Sequence, residues 1–216
     1  MPLPRRLPSP GQALTALALA LAAFAYPVLA EALLDRFGTR AVALGLLGAA
    51  GANLVVRLWL ERRALALLGQ FAGAFALLAL AAATDDRFYL QLFPALVNAY
   101  LAVLFGATLA TEESMIERGA RAMQPYLPRF TRRYCRIVTA LWVVFFATAS
   151  VVIAAVLAVA PELWRAATTT WYFAVVLGLS AVEFVRRKIW FRNYAGGPID
   201  RAFAALFPAA ATPRGR

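Results

Sequence analysis

The chain has 216 residues, 62% of them hydrophobic and 15% charged, with a formal net charge of +11 and a mean hydropathy of +0.69. Soluble domains average nearer a quarter charged residues, and here the apolar residues fall in long uncharged blocks, a membrane pattern rather than a core pattern. With no histidine anywhere, Ser-His-Asp and Cys-His catalysis are excluded and the commonest transition-metal ligand is missing.

A helix crossing about 30 Å of hydrocarbon needs about 20 residues. Six blocks meet that length: Ala13 to Leu34, Ala41 to Leu60, Ala64 to Ala83, Tyr89 to Leu109, Ile137 to Ala160 and Ala167 to Val185. The first has a second reading. Arg5-Arg6, an apolar stretch and then Val28-Leu29-Ala30 resemble a signal peptide, and cleavage after Ala30 would leave five spans. The turns at Asp35–Arg40, Glu61–Arg63 and Thr84–Arg87 are short, so neighbouring spans should form antiparallel hairpins. Pro27 and Pro94 lie inside spans and should kink them.

Charge sets the orientation. Eighteen of the 22 basic residues fall in the N-terminal tail, the second and fourth loops and the C-terminal tail, and only Arg36, Arg40, Arg87 and Arg165 fall on the other side. The positive-inside rule then puts the basic side and both termini in the cytoplasm. Basic residues placed this way anchor anionic lipid headgroups and argue against a nucleic-acid partner. Trp59, Trp142 and Trp190 fall near one membrane face, and Trp164 and Trp171 near the other, as an aromatic belt would place them. The expected fold is an all-α polytopic transmembrane bundle of six spans in a bacterial inner membrane.

Two regions are not spans. Thr111 to Arg136 is the longest loop. Within it Ser114-Met-Ile-Glu117 fits a capping box, in which the serine and glutamate side chains satisfy backbone donors reciprocally. Met115, Ile116, Ala120 and Met123 share one face, with Glu117, Arg118 and Arg121 off it, and Pro125 ends the pattern. That predicts a short amphipathic helix on the cytoplasmic surface. The basic tail from residue 186 to 216 carries a Gly196-Gly197-Pro198 turn and then Ile199, Phe203, Leu206 and Phe207, another interfacial pattern.

Polar residues inside the apolar blocks are the places to look for function. Asn53, Gln70, Asn98, Thr139 and Glu183 are the candidates. The amides and Thr139 are also explained by hydrogen bonds between helices. Glu183 has Arg186 and Arg187 three and four residues on, so an ion pair along its own helix accounts for it. Gly69-Gln-Phe-Ala-Gly73 matches GxxxG, and Gly45, Gly48 and Gly51 line the second span; small residues of this kind permit close helix packing. The single cysteine, Cys135, has no partner for an internal disulfide and reads as a small residue at a helix start beside Arg132, Arg133 and Arg136. No phosphate loop, GxSxG elbow or cysteine/histidine cluster is present. No cofactor or metal site is expected.

The second half carries a family pattern. Phe93-Pro94, Asn98 and Phe105 are followed by Met115-Ile-Glu117-Arg118 and Tyr126-Leu-Pro128. Phe130-Thr-Arg-Arg133-Tyr134, Arg136-Ile-Val-Thr139, Trp142 and Phe145-Phe146 come next, then Trp164, Tyr172 and Glu183-Phe-Val-Arg186. This order resembles the intracellular septation protein A family of bacterial inner-membrane proteins. It is more similar still to a related group of uncharacterised membrane proteins found among genes for fatty-acid-like or aryl polyene biosynthesis. The resemblance covers the stretch from Phe93 to Phe191; the first three spans match only in being hydrophobic.

The resemblance implies a non-enzymatic role in cell-envelope or membrane-lipid biogenesis through protein contacts. Partners would be envelope-synthesis, division or acyl-chain biosynthesis proteins, and the face from Ser114 to Arg136 would be the contact surface. Asn98, Glu117, Arg118, Arg133, Thr139, Trp142 and Glu183 are the positions to test. Some relatives are labelled ketosynthases, but a condensing enzyme of that kind needs a nucleophilic cysteine and usually histidines, and histidine is absent. The alternatives are a transporter or flippase for a lipid or polyene product, with Asn98 or Gln70 lining a cavity, and a membrane acyl or lipid transferase built on Glu112, Glu113, Glu117 and nearby arginines.

Overall fold

The structure, a computed structural model, describes residues 29–60, 64–123, 131–191 and 198–206. Every regular element among them is helical. Residues 29–37 form α1, followed by α2 (Thr39–Leu60), α3 (Ala64–Thr84), α4 (Arg87–Gln91), α5 (Phe93–Leu109), α6 (Met115–Met123) and α7 (Thr131–Val159). A 3-10 turn (Pro161–Leu163), α8 (Trp164–Ala166) and a π-turn (Ala167–Trp171) lead into α9 (Tyr172–Phe191) and α10 (Pro198–Leu206).

Four helical stretches are long and apolar enough to cross a membrane: Thr39–Val56, Arg87–Leu109, Thr131–Val159 and Pro161–Arg187. The helix expected from Ala64 is also present, running to Thr84. Most of the expected first span, including Pro27, lies outside the described residues. The large apolar side chains along these helices face outward; Val103, Val144 and Val151 are each more than 60% exposed. A water-soluble fold would bury such a stripe, and hydrocarbon is the solvent that accepts it.

The chain divides into two compact units, residues 1–170 and 171–216. In the first unit α5 packs most extensively on α7, and α2 on α3. The α5–α7 seam holds a cluster of rings. Phe105 meets Phe146 edge-on at 5.3 Å, and Trp142 lies 5.6 Å from Phe145 and 5.5 Å from Phe146. Aromatic pairs in these orientations add about 0.5–1.5 kcal/mol beyond their burial. Trp142, expected as an interfacial anchor, packs against Phe145 and Phe146 of its own helix, and Phe105–Phe146 is the ring pair that joins α5 to α7. A Cβ at Gly106 would meet Val143 in ordinary contact at 3.8 Å, whereas one at Gly73 would sit 3.2 Å from Leu96 Cδ1. The second glycine of the GxxxG match thus serves packing of α3 on α5 within the chain. Gly45, Gly48 and Gly51 face open space instead.

One end of the first unit is built by exchanged caps. Asp85 Oδ1 accepts from the Arg40 backbone N–H at 2.9 Å, near the start of α2. The Arg40 guanidinium reaches back to the carbonyls of Ala82 at 2.9 Å and Ala83 at 3.4 Å, in the last turn of α3. Asp85 adopts φ +55°, a left-handed conformation that aspartate tolerates. Asp86 caps α4 through Phe88 N–H at 2.9 Å. Beneath these caps Leu34, Ala43, Leu78, Ala81 and Leu90 form the apolar core of α1 to α4.

The distortion expected at Pro94 is confined to Leu92, which keeps helical dihedrals and the backbone bonds Leu92 N–H to Phe88 and Leu96 N–H to Leu92. Leu92 separates α4 from α5, and Pro94 stands in the first turn of α5, where its missing N–H removes no hydrogen bond that the helix needs. Trp164 fills the space beside this junction. It is 2% exposed and its Nε1–H donates to the Gln91 carbonyl at 2.9 Å. This corrects the aromatic-belt assignment of Trp164; Trp171 and Trp59 do face outward. A surface ion pair of 3.4 Å between Arg165 and Glu31 ties α8 to α1.

In the second unit, Phe184 of α9 meets Phe203 of α10 edge-on at 6.5 Å. The expected interfacial segment of the tail is thus a helix held by an aromatic contact.

Trp164→Phe removes the N–H and part of the ring volume at a buried site. It should cost about 2–3 kcal/mol, a lost hydrogen bond plus a cavity, read as a shift in the detergent-unfolding midpoint.

Candidate functional site

The densest set of polar side chains among the described residues lies where α5 ends, α6 crosses and α7 begins. The start of α7 explains part of it. Its 29 residues reach about 44 Å at 1.5 Å per residue, longer than the hydrocarbon. The loop expected to run to Arg136 therefore ends earlier, and Thr131, Arg132, Arg133 and Arg136 stand on the first turns of a helix. A run of threonine, arginine and tyrosine reads as loop in sequence, but it continues the same helix beyond its apolar stretch.

Two threonines hold α6. The Thr108 hydroxyl donates to the Phe105 carbonyl at 2.6 Å and accepts from Met115 N–H at 2.9 Å. The Thr139 hydroxyl donates to the Cys135 carbonyl at 2.8 Å and accepts from Ile116 N–H at 3.3 Å. Each hydroxyl has one proton and spends it on its own helix, which leaves its lone pairs for α6. The first turn of any helix has orphan N–H groups. Here two of them are satisfied by side chains from the neighbouring spans.

The capping box expected from Ser114 and Glu117 is therefore not formed. Ser114 Oγ is fully buried and has no hydrogen-bond partner. Glu117 is 1% exposed, which corrects its placement off the packed face of α6. Its Oε1 accepts from Arg121 Nη2 at 2.9 Å and Nε at 3.3 Å. Its Oε2 makes no hydrogen bond and lies 3.9 Å from Arg132 Nε. The hydrogen bonds that Arg121 donates to Glu117, with Glu113 Oε1 at 3.2 Å adding to them, raise the Arg121 pKa above the ordinary guanidinium value.

Three more arginines clamp the segment between α5 and α6. Arg136 donates to the Thr111 carbonyl at 3.0 Å and to the Leu109 carbonyl in the last turn of α5. Arg132 donates to the Glu112 carbonyl, from Nε at 3.1 Å and from Nη2. Arg118 donates to the Glu113 carbonyl at 3.2 Å and to Thr111 Oγ1 at 3.1 Å. A cation is favoured at a helix C-terminus by the macrodipole as well as by the bond itself. These arginines, read as topology signals in the sequence, are also structural ties.

Of the candidate residues, the fold brings Glu117, Arg118 and Thr139 together. Arg133 stands on the same first turns of α7, exposed, and makes no ion pair among the described residues. Asn98 is elsewhere: it is buried in α5 and its Nδ2 donates to the Pro94 carbonyl at 2.8 Å. Trp142 belongs to the aromatic seam. Glu183 pairs with Arg187 at 3.3 Å along α9, as its spacing predicts. The side chain of Gln70 lies outside the described residues. Sequence reasoning missed Thr108 and the structural roles of Arg132 and Arg136. Cys135 is buried beside this cluster. No group of three or more metal-ligating side chains occurs among the described residues.

Comparisons with protein-family models, with curated proteins and with solved structures return no match for this chain.

Arg136→Met keeps the aliphatic stem and removes both carbonyl partners. It should lower stability by about 1–2 kcal/mol, the range for one or two lost hydrogen bonds at a half-buried site. Denaturation in detergent would measure this.

Proposed function

We propose that the protein is a six-span bacterial inner-membrane protein with both termini in the cytoplasm. Its role is to support cell-envelope or membrane-lipid biogenesis by contacting another protein, without catalysing a reaction itself. The resemblance of residues 93–191 to the septation protein A family supports this reading, and so does the concentration of basic residues on one side of the spans.

One observation carries the contact role. At the end of α5, α6 and α7 the polar side chains divide into two sets. Glu117, Arg118, Arg121, Arg132 and Arg136 have partners within the chain, whereas Arg133 is exposed beside them. A rigid, pre-ordered face with an outward guanidinium is what a binding surface needs, because little conformational freedom is lost on docking. Arginine is also enriched among residues that dominate interface energies. The contact surface is therefore narrower than Ser114 to Arg136: Glu117 and Thr139 build it from inside, and Arg133 presents it. Asn98, bonded to the Pro94 carbonyl, gives no support to a transport pathway.

A photo-crosslinking residue at position 133, in native membranes, should capture an envelope-synthesis, division or acyl-chain enzyme, while the same residue at outward-facing Val151 should capture lipid. Arg133→Glu should lower co-purification of that partner about tenfold, equivalent to about 1.4 kcal/mol, with unchanged membrane abundance. Capture of lipid alone at position 133 would contradict the contact role. A C-terminal fusion to a green fluorescent protein should fluoresce and one to alkaline phosphatase should be inactive; the reverse would overturn the orientation.

A further inference from the structure

The start of α6 offers caps to two different pairs of donors, and only one pair has them: Thr108 and Thr139 serve Met115 and Ile116, while a Ser114–Glu117 capping box would serve the N–H groups of Ser114 and Glu117. Met115 and Ile116 N–H groups are held by Thr108 and Thr139 from the spans. The chain's own capping-box pair, Ser114 and Glu117, sits at the N-cap and third positions of the same helix, yet Ser114 Oγ and Glu117 Oε2 are both buried without a hydrogen bond. Buried polar groups are nearly always paired, and each exception asks for a reason.

We propose that α6 is a two-state element that exchanges caps, docked on α5 and α7 through Thr108 and Thr139, and released with its own Ser114–Glu117 capping box closed. In the docked state Ser114 Oγ is stranded and Glu117 Oε2 has no hydrogen bond, only an ion pair with Arg132 at 3.9 Å, which penalises that state. In the released state the Ser114 hydroxyl accepts from Glu117 N–H and the Glu117 carboxyl accepts from Ser114 N–H, while the Met115 and Ile116 N–H groups pass to water. Docking is favoured by the two threonine hydroxyls, by the Arg132–Glu117 ion pair and by the packing of α6 on α7. The unmade capping box pulls the balance the other way. The inference concerns α6 itself and stands whether or not a protein docks at Arg133.

The molecule carries its own reporter. Cys135 is the one cysteine in the chain and is 4% exposed. It lies one turn before Thr139 on α7 and close enough to Arg121 of α6 to contribute to that group's electrostatics. If α6 contributes to that burial, its release raises the exposure of the thiol, and the labelling rate reads the change.

The test is the rate at which N-ethylmaleimide labels Cys135 in the full-length protein in native membranes, read by mass shift. Ser114→Ala removes a stranded hydroxyl from the docked state and a cap from the released one, so it should slow labelling about fivefold to tenfold. Thr139→Val strands Ile116 N–H only in the docked state, so it should speed labelling by a similar factor, the change expected for one buried hydrogen bond. Ser114→Ala placed on Thr139→Val should restore a rate near wild type. Opposite signs are the signature, because simple loss of stability would speed labelling in both variants. Equal signs, no effect of Ser114→Ala, or no labelling of either wild type or Thr139→Val would each overturn the proposal.

Discussion

Where water is scarce, the backbone groups at the end of a helix must find partners in the protein. This constraint organises the structure. At several ends within the first unit the partner comes from the neighbouring helix. Arg40 and Asp85 trade caps between α2 and α3. Thr108 and Thr139 hold the start of α6, Arg136 holds the end of α5, and Trp164 bonds the carbonyl at the α4–α5 junction. Apolar side chains alone cannot set the register of two helices in lipid, because lipid tails solvate them as well as each other. Directional bonds at the ends supply the register that hydrophobicity does not.

The same economy gives the arginines two roles. A guanidinium that donates to a neutral carbonyl is geometrically fixed but keeps its full charge. Arg132 and Arg136 therefore order the segment before α6 while still contributing positive charge near Arg133. A lysine at either position would keep the charge and lose the fork that reaches two acceptors. With α6 docked, the contact surface proposed for this protein is thus ordered by the very residues that make it basic.

The sequence was legible where a single property decides the outcome. Long uncharged blocks gave helices whose bounds match the structure within a few residues at α2, α3 and α5. Glu183 and Arg187 paired because four-residue spacing settles who meets whom on one helix. The reading failed where the deciding partner is distant in the chain. Glu117 looked outward because an isolated amphipathic helix turns its carboxylates to water; the four-residue spacing to Arg121 is local, but nothing local announces that α7 buries the carboxylate and brings Arg132 to it. Thr108 was invisible for a similar reason: a threonine late in an apolar helix looks neutral until another segment brings an orphan N–H to it. Trp164 was misplaced because belt tryptophans and buried ones share the same position along a span; only the junction at Leu92 shows where its N–H goes. The start of α7 was set too late because arginines mark the end of the hydrocarbon, not the end of the helix.

Cap exchange between neighbouring helices is tested most directly by residue-resolved hydrogen exchange of two amides, Met115 and Ile116, in detergent micelles. If the threonine hydroxyls hold them, Thr108→Val should speed exchange of Met115 and Thr139→Val that of Ile116, each by about tenfold, the factor that corresponds to about 1.4 kcal/mol. The amide held by the other threonine should change less. Unchanged protection at both amides in both variants would mean that the hydroxyls do not cap α6, and would contradict the account.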